Sequence, residues 1–157
     1  MVIESNREIV LQFYRAFDDR NIALAFSLLA DNFIAHMAGI TEPLDKKGFK
    51  QFGGEFYRAF VDGKHTFDEI IVEDNRIVTC GKFTATHLGT FQRLPPTNKQ
   101  IEISVMHIDK VENNKIIEHW GQGDARGLMK QLGIMFLPSP QLILNMFNNT
   151  LTKSFTE

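Results

Sequence analysis

Between His87 and Gly133 the sequence sets titratable side chains among aliphatic residues, the surroundings that shift pKa values and prepare groups for proton transfer. In the segment Lys99 to Lys110, one face reads Ile101, Ile103, Val105, His107, Asp109 and the other Glu102, Ser104, Met106, Ile108. The first face is the more aliphatic, which points His107 inward. His87 shares a face with Ile77, Phe83, Ala85 and Phe91 and is expected inside as well. A buried imidazole serves either as an acid or base near neutrality or as a core side chain satisfied by one hydrogen bond. Three further groups stand nearby in type or position. His36 is the only titratable residue of Phe33 to Ala38, and reads as a base or as a donor to a backbone carbonyl. Glu118 reads as a solvent-facing strand residue or an acid. Asp124, just before Ala125-Arg126-Gly127-Leu128, occupies an N-cap position, with a second role open.

What faces His107 depends on the hairpin closed by Asn113-Asn114. A two-residue turn puts Trp120 opposite His107. A three-residue loop with Asn114 left-handed puts His119 there, with Ile117 and Gly121 on the same face. Asn tolerates both, so the register stays open.

The elements that must position these groups follow from period and punctuation. Ser5-Asn6-Arg7-Glu8 has the capping-box form and Val10, Phe13, Tyr14 and Phe17 recur at helical spacing, predicting a helix over 6–18. Asn21 can cap a second helix through Ala30, a short strand runs from Phe33 to His36, and a third helix follows Asp45 with Phe49, Phe52, Phe56 and Phe60 on one stripe. From His65 the period becomes two. Strands are expected over 65–73, 76 to about 91, 99–111 and 115–122, joined by Asp74-Asn75, the Pro95-Pro96-Thr97 turn and Asn113-Asn114, with a helix from Asp124 to about Leu132. Helices first and strands afterwards indicate an α+β domain with helices covering one face of a curved sheet. Residues 1–137 are expected to form that single domain. The tail, 138–157, holds Leu142, Ile143, Leu144, Met146 and Phe147 and is expected to form a short helix packing on the body or on a second subunit.

Composition bounds the partners. The chain has 157 residues, 43% hydrophobic and 23% charged, enough for one self-sufficient core. A formal charge of −2 offers no footprint for nucleic acid or an anionic membrane, and neither partner is expected. A lone Cys80, a start interrupted by Glu4, Arg7 and Glu8, and no long apolar run point to a cytoplasmic protein without a signal peptide. The aromatics are 14 Phe, 2 Tyr and 1 Trp, which suit a plain apolar core or a pocket for a flat hydrophobic ligand. The five histidines lack H-x-x-x-H or H-x-H spacing, so no metal site is expected.

Ala30-Asp31-Asn32-Phe33 with His36, Phe60-Val61-Asp62, Thr86-His87-Leu88-Gly89, Leu94-Pro95-Pro96-Thr97, His107, Lys115-Ile116, Glu118-His119-Trp120, Asp124 and Gln131-Leu132-Gly133 together give the chain its resemblance to the SnoaL-like polyketide cyclases of the nuclear transport factor 2-like superfamily. The resemblance implies a conical α+β barrel with a curved, mostly antiparallel sheet wrapped around N-terminal helices. It also implies a homodimer, a deep apolar cavity for a hydrophobic small molecule, and no cofactor. In these cyclases an aspartate and a neighbouring histidine perform an intramolecular aldol condensation. The histidine matches His107, whereas the aspartate's position is Gly121. Two functions follow. One is a cofactor-independent acid/base enzyme, a cyclase, isomerase or related catalyst acting on a polyketide-like carbonyl compound, with His107 as base, His119 and Asp124 in support, and His36, His87, Tyr14, Trp120 and Phe52 about the ligand. In the isomerase direction Tyr14 would polarise a carbonyl. The other is a binding or assembly protein that has lost the cyclase aspartate.

Overall fold

A computed structural model describes residues 2–135, 137 and 139–144. The first helix, α1 (Val2–Asp18), buries Val10, Phe13, Tyr14 and Phe17 on one side, as the spacing predicts. It starts earlier than the capping box suggests, so Ser5 lies within the helix and Asn6 is buried. Asn21 caps α2 (Ile22–Ser27) by accepting from the Leu24 N–H at 3.1 Å. That helix stops at Ser27 rather than Ala30 because Leu29 already pairs with Ile116 in the parallel ladder between β1 (Leu29–Met37) and β6 (Lys115–Gly123). Sheet pairing outweighs the helical preference of Leu and Ala here. After the two-residue strand β2 (Leu44–Asp45), the Asp45 carboxylate accepts from Gly48 N–H at 2.7 Å and opens α3 (Lys46–Ala59).

The remaining strands are β3 (Lys64–Glu73), β4 (Arg76–Thr86) and β5 (Gln100–Glu112), followed by α4 (Ala125–Leu132) after β6. β4 ends at Thr86, short of the expected Phe91. The chain there turns onto the end of α3, where Leu88 and Gly89 both donate to the Ala59 carbonyl. A Cβ on Gly89 would lie 2.3 Å from the Arg58 carbonyl oxygen, so glycine is required by the close approach. The six-stranded sheet runs β2-β1-β6-β5-β4-β3, antiparallel except for β1 with β6, and it stays open with β2 and β3 as edges. The architecture is the nuclear transport factor 2-like α+β fold, with a curved sheet around the N-terminal helices, although the barrel is unclosed.

Two apolar clusters fill the space between helices and sheet. One joins α1, β1 and α3 through Phe13, Phe17, Phe33 and Phe49; the other gathers Phe60, Phe83, Ile101, Ile103, Leu128 and Leu132. In the tail, residues 140–144 form a helical turn with Leu142 and Leu144 exposed, whereas Met146 and Phe147 lie outside the described residues. Among the described residues no helix is long and apolar enough to cross a membrane.

Candidate active site

Along β5 the inward face is buried at Ile101, Ile103, His107, Asp109 and Val111, so the alternation read from the sequence holds. The hairpin is closed by a two-residue turn in which Asn113 and Asn114 both have positive φ, at 50° and 59°. The pairing then shifts between Lys110 and Val111: Val111 faces Ile116 but Lys110 faces Glu118, leaving Ile117 as an extra residue. Neither register read from the turn survives this bulge. His107 pairs with Gly121, and His119 pairs with Asp109. The bulge also exchanges the faces of the rest of β6, and His119 turns into the interior while Glu118 and Trp120 turn out.

Asp109 is the centre of the resulting network, and it is wholly buried. One carboxylate oxygen accepts from the Tyr14 hydroxyl at 2.8 Å and the other lies 2.8 Å from His119 Nδ1. An ionised carboxylate only accepts, so the Nδ1 of His119 carries a proton and its Nε2 is the atom free to exchange one. Tyr14 stays a phenol, because burial and the Asp109 charge raise its pKa well above 10.0. Its only proton is committed to Asp109, which leaves the hydroxyl unable to polarise a carbonyl, the role the sequence offered it.

His107 stands beside this network, its ring 5.5 Å from that of His119 and stacked on it, with Nδ1 3.3 Å from the Thr79 hydroxyl. Burial, followed by the neighbouring His119 and His65 imidazoles, holds its pKa well below the ordinary 6.5. His107 is therefore an uncharged imidazole at neutral pH, free to accept a proton but a weaker base than an exposed histidine. His65 completes a row of three. Its ring is 5.8 Å from that of His107, and the Asp18 carboxylate holds it through Nδ1 at 2.7 Å and through its backbone N–H at 2.9 Å.

All three imidazoles line a cavity of about 190 Å³ whose other walls include Phe13, Phe17, Phe49, Phe52 and Tyr57. Gly121 is part of that wall. A Cβ at 121 would meet His119 Nε2 at 2.9 Å and the Met37 methyl at 2.8 Å. The imidazole of His119 thus reaches into the space beside position 121, where the resemblance places the cyclases' aspartate. The carboxylate of this site is Asp109, one pairing step along the same two strands.

The other sequence candidates stand apart. His36 lies on the outer face, stacked on Trp120 at 4.9 Å and 2.9 Å from a Glu118 oxygen. His87 is buried against Phe60, and its Nδ1 accepts from the Thr97 N–H at 3.2 Å. Asp124 caps α4 through Gly127 N–H at 2.8 Å and is exposed. His36, Trp120, His87 and Asp124 do not line the cavity, whereas Phe52 does. Sequence reasoning missed Asp109, Asp18 and His65. Asp109 left one usable signal: it is the only carboxylate on the otherwise aliphatic inner face of β5. Among the described residues no cluster of His, Cys, Asp or Glu is arranged to hold a metal ion.

The family match agrees with this architecture. The model of the SnoaL-like polyketide cyclases matches residues 8–132, and the chain belongs to that family. Among solved structures, the candidate hydroxylase AclR from Streptomyces galilaeus is similar with a TM-score of 0.79 at 18% identity, over 85% of this chain and 99% of that one. The candidate polyketide cyclase IdmH from Streptomyces antibioticus gives 0.73 at 23% identity, over 82% and 99%. A candidate polyketide cyclase from Acidithiobacillus ferrooxidans gives 0.71 at 26% identity, over 82% and 94%. No curated protein matches the sequence.

Proposed function

We propose that this chain is a cofactor-independent acid/base enzyme acting on a hydrophobic, polyketide-like carbonyl compound. The observation that carries the reading is the placement of His107: a buried imidazole facing an apolar cavity, stacked beside a second imidazole backed by the fully buried Asp109. His107 takes the proton from a carbon next to a carbonyl group. The electron pair left on that carbon attacks a second carbonyl within the same molecule, and the new alkoxide recovers the proton from His107, directly or relayed through Nε2 of His119. Asp109 fixes the His119 ring through Nδ1 and opposes positive charge that develops there. His107 is then uncharged again and the enzyme is unchanged. An isomerase would use the same first step and return the proton to a different carbon.

The first step can be tested without knowing the product. With 1-tetralone in deuterated water, the native protein should accelerate deuterium entry next to the carbonyl. The His107→Gln variant should lose about a hundredfold to ten-thousandfold of that acceleration, the usual share of a positioned acid or base. Exchange that survives the substitution would remove His107 from the chemistry. A bound ketone that exchanges no faster than in buffer would leave the cavity a binding site, the reading that the absent aspartate at Gly121 favours.

A further inference from the structure

The cavity holding the three imidazoles is small. At about 190 Å³ it falls below the roughly 300–1,000 Å³ of ordinary ligand sites, so a polyketide-sized molecule would extend beyond it. Adjoining it is a groove of about 1180 Å³ that shares Ala38, Phe52, Phe56 and Ala125 with the cavity wall. Arg58, Arg93 and Arg126 line this groove, against a single carboxylate, Glu55. Among the described residues none of the three arginines has a carboxylate partner within 4.0 Å. The chain as a whole carries −2, so this positive concentration does not follow from a general surplus of base.

Local energetics do not explain two of the three positions either. Arg93 sits in a tight turn closed by mutual backbone hydrogen bonds between Phe91 and Leu94, and both central residues have positive φ, 47° at Gln92 and 69° at Arg93. Glycine or asparagine normally takes such positions, and another residue costs about 1–2 kcal/mol. Phe91 anchors the turn on Phe56 and Phe60, with ring centroids 5.9 and 5.3 Å away. Arg126 lies in the first turn of α4, where the helix dipole disfavours a cation. Cations held at unfavourable positions around the mouth of an apolar cavity are accounted for if a ligand supplies the negative charge.

We infer that the groove formed by Arg58, Arg93 and Arg126 binds an anionic group of the ligand, a carboxylate or a phosphate monoester, while the apolar carbonyl portion enters the cavity. This rests on the cavity being the ligand site of the proposed function, and it narrows the substrate to a hydrophobic carbonyl compound with a negatively charged end.

The test is calorimetric binding of three matched probes: 2-naphthoate, 2-naphthyl phosphate and the uncharged methyl 2-naphthoate. One anionic probe should bind on the order of tenfold more tightly than the ester, given the modest strength of exposed ion pairs, and added salt should erode the difference. Preference for the carboxylate or for the phosphate identifies which anion the groove is built for. The triple variant Arg58→Ala, Arg93→Ala, Arg126→Ala should lose this advantage and keep its affinity for the ester. Should the triple variant fold poorly, Arg93→Gly alone should weaken the anion while raising thermal stability, since glycine relieves the turn. Equal affinity for all three probes, or an advantage that survives the substitutions, would overturn the inference and leave the cavity reading standing. Binding of none of the probes would count against both.

Discussion

Two neighbouring residues of β6 make the same kind of pair on opposite faces of the sheet. Glu118 meets His36 at 2.9 Å and His119 meets Asp109 at 2.8 Å. Distance alone does not distinguish them. The outer pair remains partly exposed, with side-chain exposures of 33% and 23%, and the inner pair stands at 4% and 0%. Outside, solvent screens the contact and the His36 ring is stacked on Trp120. Inside, the carboxylate satisfies two buried donors and the far nitrogen of the histidine faces a cavity. A histidine–carboxylate contact becomes a functional candidate through what surrounds it, and burial beside a cavity is the deciding property.

Substitutions should separate the two pairs. The largest effect is expected from Asp109→Ala, which strands the Tyr14 hydroxyl and the His119 N–H in the interior: a loss of about 3–5 kcal/mol in urea unfolding, together with loss of ketone exchange. An effect below 1 kcal/mol would mean that the inner network is no more than the outer one. Next comes Gly121→Asp, which puts the cyclases' acid where the resemblance expects it. The new side chain would collide with His119 and Met37, so stability should fall by about 1–3 kcal/mol and exchange should drop. A rise in exchange would show that an aspartate at 121 serves better than the His119–Asp109 pair. The smallest effect belongs to Glu118→Gln, expected within about 0.5–1 kcal/mol in stability and neutral in exchange; a marked loss of turnover would give the outer pair a catalytic part.

The contrast also explains what the sequence reveals. Inward alternation on β5 is periodic, so His107 and the aliphatic face around it are legible, as are the helix caps at Asn21, Asp45 and Asp124. The register of β6 is not, because it turns on a bulge at Ile117, and nothing in Lys115-Ile116-Ile117-Glu118 distinguishes the extra residue. That one residue decides whether His119 or Trp120 faces inward. His65 and Asp18 are hidden for a different reason: they lie 47 positions apart and meet only when β3 packs on α1. Gly121, read from sequence as a missing acid, acquires its meaning only when the His119 ring is seen beside it.

The central claim, that the cavity holds an uncharged imidazole as its base, is tested most directly by an NMR pH titration of the His107 ring, assigned against His107→Gln. His107 faces His119, His65 and Tyr14, and its midpoint should lie well below 6.5. The unfolded chain then binds more protons than the native one between that lowered midpoint and 6.5, so His107 should also make stability decline as pH falls through this window, and His107→Gln should flatten the decline. A midpoint at or above 6.5 would contradict the account, for the apolar surroundings would then not be holding the ring in its uncharged form.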